Sequence, residues 1–387
     1  MKRAMVVIGA NYGDEGKGLM VDFLAAGVSG ERVVVRFNGG AQAGHTVVTP
    51  NGRRHVFSHH GAGTLAGAAT YLAKHYVLNP LLYWHEARQL LDLGAAPVVA
   101  ADPRCYVTTP YDMMVNQAVE DHRADGRHGS VGVGFGETIE RNSYPAFQLW
   151  KVDLADAKLT AEKVRFIRDR WLPQRLGQLG LPGFPRDDKR LSDEALGRIV
   201  ESFTAFDRAV LTAGAEFLER KAVIFEGAQG LSLDMDGPNF PHVTRSNTGL
   251  KNVVPLASAL GLSLDVIYVT RPYLTKHGAG PLIDEYAPDP PIEDATNQEH
   301  PYQGRLRFAA LDVPALLARV AEDVKLAPDA SVSMAMTCLD HVGVDTLATW
   351  VSRLGKLRYY SVGPRRDHLA EIVEPIGMRE RVYGGRP

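Results

Sequence analysis

The first glycine-rich loop of the chain carries the residues whose chemistry is easiest to read. Gly13, Gly16 and Gly18 leave backbone N–H groups free to converge on an anion, and Lys17 adds a positive charge beside them. The spacing resembles a P-loop, but Asn11 stands at the first glycine position and Gly18 replaces the Ser or Thr that binds Mg²⁺. The loop is therefore predicted to bind phosphate through a variant of that motif.

Two carboxylates lie inside the same loop. Asp14 and Glu15 would repel a phosphate group unless a cation bridges them or one of them is needed as a base. A loop built only to hold an anion has no use for either side chain. The pair therefore predicts either a bound cation or a catalytic base in this loop.

A second glycine-rich turn follows the valine-rich run at 33–37 and ends at His45 and Thr46. Because it comes just after an apolar run, we expect it at the edge where open α/β sheets bind ligands. His45 can donate a hydrogen bond to negative charge that develops during a reaction. The alternative is a loop histidine that binds a neighbouring carbonyl group.

A third strand-and-turn unit ends in the run 226–230 and is followed by the polar run 242–249. The amide of Gln229 can both donate and accept, which suits the edge of a purine base. The candidates for binding phosphate oxygens are Thr244, Ser246 and Thr248. The alternative is a turn and helix-capping segment that binds no ligand.

Two arginines two residues apart follow Gly304. In an extended loop Arg305 and Arg307 would face one side and form a clamp for a small dicarboxylate, whereas the alternative is a solvated basic loop. Asp340 follows a later apolar run. It would accept from the exocyclic amine and ring N–H of a base, or serve as an ordinary turn residue.

The remaining metal-ligating residue types give no pattern. His55, His59 and His60 are close in sequence, but nothing nearby completes a ligand set, so no metal site is predicted there. Cys105 and Cys338 are far apart and support neither a disulfide framework nor a metal knuckle. This cysteine usage is typical of a reducing cytosol.

The elements that must position these residues alternate between strands and helices. Continuous valine-rich runs predict strands covered on both faces, as in a parallel sheet; they lie at 33–37, 98–100, 222–225 and 266–269. Ser192 is a predicted N-cap of an amphipathic helix, and a second helix is predicted to follow Thr160 and to stop at Pro173. The pattern predicts a single elaborated α/β domain over residues 1–387.

The composition narrows the classes of protein. The chain is 45% hydrophobic and 23% charged, and its net charge of −2 gives no basic field for nucleic acid. No stretch approaches the roughly 20 apolar residues that span a bilayer. The N-terminus leads into a short strand rather than a signal peptide. We therefore expect a cytoplasmic protein with neither nucleic-acid nor membrane partners.

Five motifs together resemble the adenylosuccinate synthetase family. Their order and approximate spacing hold over nearly the whole chain, which makes them more specific than any one glycine motif. The motifs are G-D-E-G-K-G at Gly13–Gly18, G-G-x-x-A-G-H-T at Gly39–Thr46, F-E-G-A-Q-G at Phe225–Gly230, V-T-x-S-N-T at Val243–Thr248 and G-A-G-P at Gly278–Pro281. The resemblance implies a P-loop-NTPase-like, mostly parallel central sheet with flanking helices, in a homodimer.

The resemblance also implies a reaction. The family phosphorylates the 6-oxo group of a purine nucleotide with a nucleoside triphosphate and then displaces phosphate with the amino group of L-aspartate. By this matching Asp14 is the base that removes the N1 proton and a ligand of Mg²⁺, and the carbonyl of Gly44 is a second ligand. His45 stabilises charge on the transferring phosphoryl group, and Lys17 holds phosphate.

The resemblance further implies which residues contact the substrates. The nucleotide and phosphate contacts are Asn11, Gly13, Glu15, Gly16, Gly18, Gln42, Ser130, Val131, Gln229, Thr244, Asp340, Ser361 and Gly363. The aspartate contacts are Gly304, Arg305 and Arg307.

Departures from the family pattern fall around the nucleotide sites. The family's T-T-G-R-G-I-G-P reads Ser130–Glu137 here, its G-G-H-N turn has Gln42 in place of Asn, and its T-K-L-D and S-T-G-P have Cys338 and Val362 in place of Lys and Thr. These changes resemble the phage and archaeal branch that converts dGMP to N6-succino-2-amino-2′-deoxyadenylate. They leave the donor open between GTP, which the family uses, and ATP or dATP. The alternatives are an adenylosuccinate synthase acting on IMP and, more remotely, a non-catalytic nucleotide-binding regulator.

Overall fold

The computed structural model describes residues 2–123, 129–292, 294, 296–297, 299 and 302–372. The strands of that part of the chain are β1 (Lys2–Gly9), β2 (Arg32–Arg36), β3 (His45–Val48), β4 (Arg54–Phe57), β5 (Ala69–Leu72), β6 (Val99–Ala101), β7 (Leu211–Thr212), β8 (Ala222–Glu226), β9 (Leu262–Thr270), β10 (Tyr273–Lys276), β11 (Glu285–Tyr286), β12 (Arg307–Ala310), β13 (Ser331–Met336), β14 (Leu357–Ser361) and β15 (Leu369–Glu371).

The helices of the same residues are α1 (Lys17–Gly27), α2 (Pro80–Asp92), α3 (Pro110–Arg123), α4 (Phe135–Asn142), α5 (Ala157–Phe166), α6 (Leu172–Gln178), α7 (Asp193–Ala209), α8 (Val253–Ala259), α9 (Val313–Val324) and α10 (Leu347–Leu354). A π-helical segment, Ile167–Trp171, joins α5 to α6. Within the described ranges no helix has both the length and the apolar character that crossing a membrane requires.

A large sheet organises the fold. Its strand order is β15-β14-β13-β9-β1-β8-β2-β5-β6-β7, and every neighbouring pair is parallel except β14 with β15, which is antiparallel. Three of the valine-rich runs form the central strands β2, β8 and β9, and the run at 98–100 forms β6 beside the edge strand β7. The side chains of the central strands alternate between two packed faces. Val6 and Ile8 belong to one core cluster, while Val7 belongs to another. The predicted α/β class with a mostly parallel sheet is confirmed.

Helices cover both faces of this sheet. Leu19, Met20 and Leu24 of α1 pack in the same cluster as Val7, whereas Leu316 and Val320 of α9 pack on the opposite face. A further cluster lies beside β5 and β6. It joins residues of α2, α3, α5 and α7 with the π-helical segment, and its large side chains include Trp171, Phe203 and Phe206. Burial of this much apolar area is the main term that stabilises the fold.

One helix prediction is confirmed and another is wrong. Helix α7 begins after Ser192, whose hydroxyl accepts a hydrogen bond from the Ala195 N–H at 3.1 Å. The helix after Thr160 does not stop at Pro173. It continues through the π-helical segment into α6, where Pro173 occupies the first turn. The proline lies directly after the π-helical segment, where the regular hydrogen-bond pattern of the helix is already interrupted.

The sheet order brings three glycine-rich turns together. Since β1, β8 and β2 are parallel neighbours, the loops that follow them leave the same edge of the sheet. Asn38 joins two of the loops, because its amide donates to the Ala228 carbonyl at 3.1 Å and accepts from the Ala228 N–H at 2.8 Å. The Asn11 carbonyl in turn accepts from the Ser232 N–H at 2.9 Å. The loops form one continuous wall.

Candidate active site

A cavity of about 600 Å³ opens at this edge of the sheet. Most of the residues predicted to act on ligands line it: Gly13, Asp14, Glu15, Gly16, Lys17, Gly18, Gln42, Gly44, His45, Ser130, Val131, Gln229 and Thr244. Nine others do not line it: Asn11, Ser246, Thr248, Gly304, Arg305, Arg307, Asp340, Ser361 and Gly363. A volume of this size suits a small molecule with one or two rings and a charged tail.

The phosphate loop between β1 and α1 depends on left-handed backbone. Gly13, Asp14 and Gly16 have φ angles of 100°, 57° and 82°. A Cβ at Gly16 would lie 2.8 Å from a methyl carbon of Thr337, and the Thr337 hydroxyl donates to the Glu15 carbonyl at 2.9 Å. Glycine is therefore required at this position by both conformation and space.

The two loop carboxylates have different environments. Glu15 is buried; its carboxylate accepts from the Asn11 N–H and lies 3.6 Å from Lys17 Nζ. Burial raises the pKa of Glu15, while Lys17 and the Asn11 N–H act in the opposite direction. The side chain of Asp14 is 24% exposed and lines the cavity. Glu15 thus braces the loop from within, and Asp14 is the carboxylate that a ligand can reach.

Asp14 has a partner that the sequence did not reveal. His277 Nε2 lies 3.3 Å from Asp14 Oδ2 and 3.1 Å from Asn297 Oδ1. Because both neighbours are acceptors, Nε2 must carry a proton and donate. His277 immediately precedes Gly278, and this adjacency to a matched motif was the signal available in the sequence.

His45 pairs with a buried glutamate. Its Nδ1 lies 2.6 Å from Glu226 Oε1, and Glu226 Oε2 accepts from the Ala62 N–H at 3.0 Å and lies 4.0 Å from Arg36 Nε. Burial lowers the pKa of His45, and the charge of Glu226 acts against that shift. Burial alone would raise the pKa of Glu226, but His45 and Arg36 hold it below 4.5. His45 Nε2 is the nitrogen left for a ligand.

Two glutamine amides in the cavity wall lack protein partners. Three buried atoms have no hydrogen-bond partner among the described residues: Nε2 and Oε1 of Gln42, and Oε1 of Gln229. Gln229 also has a left-handed φ of 58°. Buried amide groups without partners are costly, so both are suited to bind a polar ligand.

Other predicted contacts are engaged with the protein. Ser130 Oγ accepts from Asn116 Nδ2 at 2.7 Å, and Ser246 Oγ accepts from the Gly39 N–H at 3.3 Å. Thr248 donates to Asp234 through its hydroxyl at 3.3 Å. Ser246 and Thr248 therefore act here as loop-bracing residues, which is the alternative that the sequence left open.

The two arginines predicted to form a clamp contact different partners. The Arg305 side chain is 83% exposed and lies 3.1 Å from Glu299. Arg307 pairs with Glu285 and donates to the carbonyls of Gly278 and Gly280 at 3.1 and 2.9 Å. Gly304, in the turn before them, has a φ of 68°. In this structure Arg307 braces the G-A-G-P turn, and the two guanidinium groups do not converge.

Four further predicted residues lie behind or beside the cavity. The Asn11 side chain accepts from Arg319 Nη2 at 2.6 Å and donates to Thr270 at 3.0 Å, so it supports the loop from behind. Ser361 Oγ accepts from the Cys338 N–H at 3.3 Å. Asp340 follows β13, and its Oδ2 lies 3.8 Å from His341 Nε2. Gly363 follows β14.

The three histidines near residue 60 surround one carboxylate. Glu86 lies within 3.3 to 3.6 Å of a ring nitrogen of His55, His59 and His60 and accepts from three backbone N–H groups of that loop. Burial alone would raise the pKa of Glu86, but these hydrogen bonds hold it well below 4.5. The cluster ties the loop to α2.

The donor set fits Mg²⁺ only together with a bound ligand. No group of three or more His, Cys, Asp or Glu side chains within the described ranges is arranged to hold a metal. Asp14 offers one accessible carboxylate, and Gly44 lies in the same wall and offers a carbonyl. Mg²⁺ is commonly held by one or two carboxylates and the phosphates of a substrate, so these residues fit it.

Sequence comparisons identify related proteins. A profile of the adenylosuccinate synthetase family matches residues 6–320. The chain is 33% identical to the adenylosuccinate synthetase of Bordetella avium over 298 residues, which cover 74% of this chain and 66% of that protein. It is 31% identical to the adenylosuccinate synthetase of Picrophilus torridus over 316 residues, which cover 80% of this chain and 72% of that protein.

Structural comparisons give the same fold. The fully ligated adenylosuccinate synthetase of Plasmodium falciparum matches with a TM-score of 0.73 and 18% identity, over 96% of this chain and all of that one. The succinoaminodeoxyadenylate synthetase PurZ of cyanophage S-2L, bound to dGMP and dATP, matches with a TM-score of 0.60 and 17% identity. The match covers 96% of this chain and 95% of that one.

Proposed function

The chain belongs to the adenylosuccinate synthetase family of C–N bond-forming ligases, and we propose that it joins L-aspartate to C6 of a 6-oxopurine nucleotide. The observation that carries the proposal is the placement of Asp14. It is the accessible carboxylate of a phosphate loop, in one cavity with His45 and the unpartnered amide of Gln229. A base beside a triphosphate is what activation of a lactam oxygen requires.

The first step transfers a phosphoryl group. Asp14 takes the N1 proton of the purine, O6 attacks the γ-phosphorus of the triphosphate, and the bond from that phosphorus to the β,γ-bridging oxygen breaks to release the diphosphate. The loop amides and Lys17 hold phosphate oxygens, and His45 donates from Nε2 to the transferring group. Mg²⁺, held by Asp14, Gly44 and the phosphates, would supply charge neutralisation.

The second step forms the new C–N bond. The amino group of aspartate attacks C6, the C6–O6 bond breaks, and inorganic phosphate leaves with the electron pair while the nitrogen loses a proton. Phosphorylation makes the oxygen a good leaving group. The amides of Gln42 and Gln229 would orient the nucleotide through both steps, since each presents a buried polar atom without a protein partner.

For the nucleotide we propose dGMP, with ATP or dATP as donor. Support comes from the phage PurZ, which shares the fold and whose structure holds dGMP and dATP. The unpartnered amide oxygens of Gln42 and Gln229 are also acceptors for the 2-amino group that guanine has and hypoxanthine lacks. IMP is the alternative, because the curated relatives are adenylosuccinate synthetases.

A substrate matrix tests this proposal. Purified protein is incubated with L-aspartate, Mg²⁺ and each of dGMP, GMP and IMP, with ATP, dATP or GTP, and phosphate release and the mass of the product are measured. We expect aspartate-dependent conversion of dGMP with ATP or dATP. Conversion of IMP alone would overturn the choice of dGMP, and nucleotide binding without any turnover would indicate the regulator.

A variant tests the role of Asp14. Asp14→Asn removes the base and is expected to lower kcat at least about 100-fold. Asp193→Asn is the matched control, because that carboxylate is 77% exposed at the start of α7, remote in sequence from the phosphate loop. Unchanged phosphate release by Asp14→Asn would refute the mechanism.

A further inference from the structure

Arg271 is a buried cation of the cavity wall to which the sequence assigned no role. It directly follows β9, the strand that pairs with β1, and lines the cavity. The preceding residue, Thr270, accepts a hydrogen bond from Asn11 Nδ2 at 3.0 Å. Arg271 therefore leaves the sheet edge immediately beside the phosphate loop.

The guanidinium group of Arg271 is incompletely satisfied by the protein. The residue is 8% exposed, and its recorded ion pair joins Nη2 to Asp294 Oδ2 at 3.4 Å. Nε is buried without a hydrogen-bond partner among the described residues, and the group lies 5.8 Å from the ring centre of Tyr273. An arginine has five N–H donors, and a buried charge with so few close acceptors is costly.

The other cations of the cavity wall also have protein partners. Lys17 lies beside Glu15, and Lys276 donates to the Ala279 carbonyl. The wall arginines with carboxylate partners are Arg175, which lies 2.7 Å from Glu137, Arg245, which lies 2.7 Å from Glu140, and Arg123, which lies 3.5 Å from Glu120. Arg271 differs from these residues because it is buried and its Nε has no hydrogen-bond partner among the described residues.

The phosphate loop needs such a cation. Asp14 places a carboxylate where a triphosphate would lie, and the charge of Lys17 is already opposed by the buried carboxyl group of Glu15 at 3.6 Å. Arg271 interacts electrostatically with both Asp14 and Glu15. A planar guanidinium can donate two parallel hydrogen bonds to phosphate oxygens, which a lysine cannot.

We propose that Arg271 binds the polyphosphate of the nucleoside triphosphate donor, an inference that rests on the proposed function. On binding, the guanidinium exchanges its long contact with Asp294 for phosphate oxygens. The carboxylates of aspartate are the competing ligand, and the experiment separates the two.

The probe is inorganic tripolyphosphate with Mg²⁺, titrated calorimetrically into the full chain. Arg271→Met keeps the length of the side chain and removes the charge; we expect about 10- to 100-fold weaker binding. Arg271→Lys should recover part of the affinity for tripolyphosphate that Arg271→Met loses. Arg198→Met is the matched control, since that side chain is 61% exposed on α7 and pairs with Glu194, and it should bind as the unaltered protein does.

Steady-state kinetics give the second readout. Arg271→Met should raise KM for the triphosphate about tenfold or more and leave KM for aspartate within about twofold. Unchanged tripolyphosphate binding, or a rise confined to KM for aspartate, would overturn the inference. If Arg271→Met does not fold by circular dichroism, Arg271→Lys carries the same comparison. Absence of turnover in the unaltered chain would refute the proposed function, while the titration would still test Arg271.

Discussion

Replacing Glu226 with glutamine tests how His45 can donate to a phosphoryl oxygen. Nδ1 of His45 lies 2.6 Å from Glu226 and donates to it, so a neutral ring presents a lone pair at Nε2. Donation from Nε2 requires a second proton on the ring. Burial opposes that proton, and the carboxylate of Glu226 favours it.

The structure sets the size of the effect. Glutamine is almost isosteric, but its amide cannot serve both neighbours, since His45 Nδ1 and the Ala62 N–H are donors on opposite sides of Glu226. A hydrogen bond to a charged group contributes about 1.5–3 kcal/mol, and each 1.36 kcal/mol is tenfold in rate. Glu226→Gln should therefore lower kcat about 10- to 100-fold, with KM for each substrate nearly unchanged.

The assay is a double-mutant cycle of kcat with His45→Gln, Glu226→Gln and the double variant. If Glu226 acts through His45, the double variant is no slower than the slower single variant. Independent, multiplied effects, or a kcat of Glu226→Gln within about twofold of the unaltered protein, would refute the reasoning. Arg36 loses its carboxylate neighbour at 4.0 Å in the same variant, so denaturant unfolding must show that the protein is folded at the assay temperature.

Three further predictions follow from the same region. Gly16→Ala places a Cβ 2.8 Å from Thr337 at a φ of 82°, so the free energy of unfolding should fall by at least about 1–2 kcal/mol in urea titration; an unchanged midpoint would contradict this. His277→Ala removes the imidazole whose Nε2 lies 3.3 Å from Asp14 Oδ2, and kcat should fall about 3- to 10-fold with an unchanged thermal midpoint, because both side chains are partly exposed. Burial lowers the pKa of His59 below 6.5, so the histidine binds a proton more strongly in the unfolded chain than in the folded protein. The free energy of unfolding should therefore decrease as the pH falls below about 6.5. Equal free energies of unfolding at pH 7.5 and pH 5.5 would exclude this prediction.

The strands and helices that the sequence predicted well are marked by patterns of neighbouring residues. The strand predicted at 222–225 is observed as Ala222–Glu226, and the helix capped by Ser192 begins where its hydroxyl and acidic first turn require. Valine-rich runs and glycine turns are properties of neighbouring residues. Because parallel strands expose their carboxyl ends at one edge, the meeting of the phosphate loop with His45 and Gln229 also followed from sequence order.

The features that the sequence did not predict depend on contacts between residues far apart in the chain. Glu226 is 181 residues from His45, and its motif was matched without a partner being assigned. Arg271 and His277 follow buried strands with no periodic pattern that would mark them. Arg305 lies at a bend and pairs with Glu299, whereas Arg307 begins β12 and pairs with Glu285, so the backbone between the two arginines is not the extended loop that would have aligned them.

The place of β1 in the sheet has a consequence for biosynthesis. β1 precedes the other described strands along the chain, and it pairs with β8 and β9, which end at Glu226 and Thr270. At translation rates of about 5–20 residues per second, β1 waits roughly 10–50 s for its neighbours. Its apolar side chains lack their sheet contacts during that time, and pairing then closes a loop of more than two hundred residues, which is slow. We expect the nascent chain to bind chaperones that recognise apolar segments, and the phosphate loop to acquire its shape only after most of the chain has emerged.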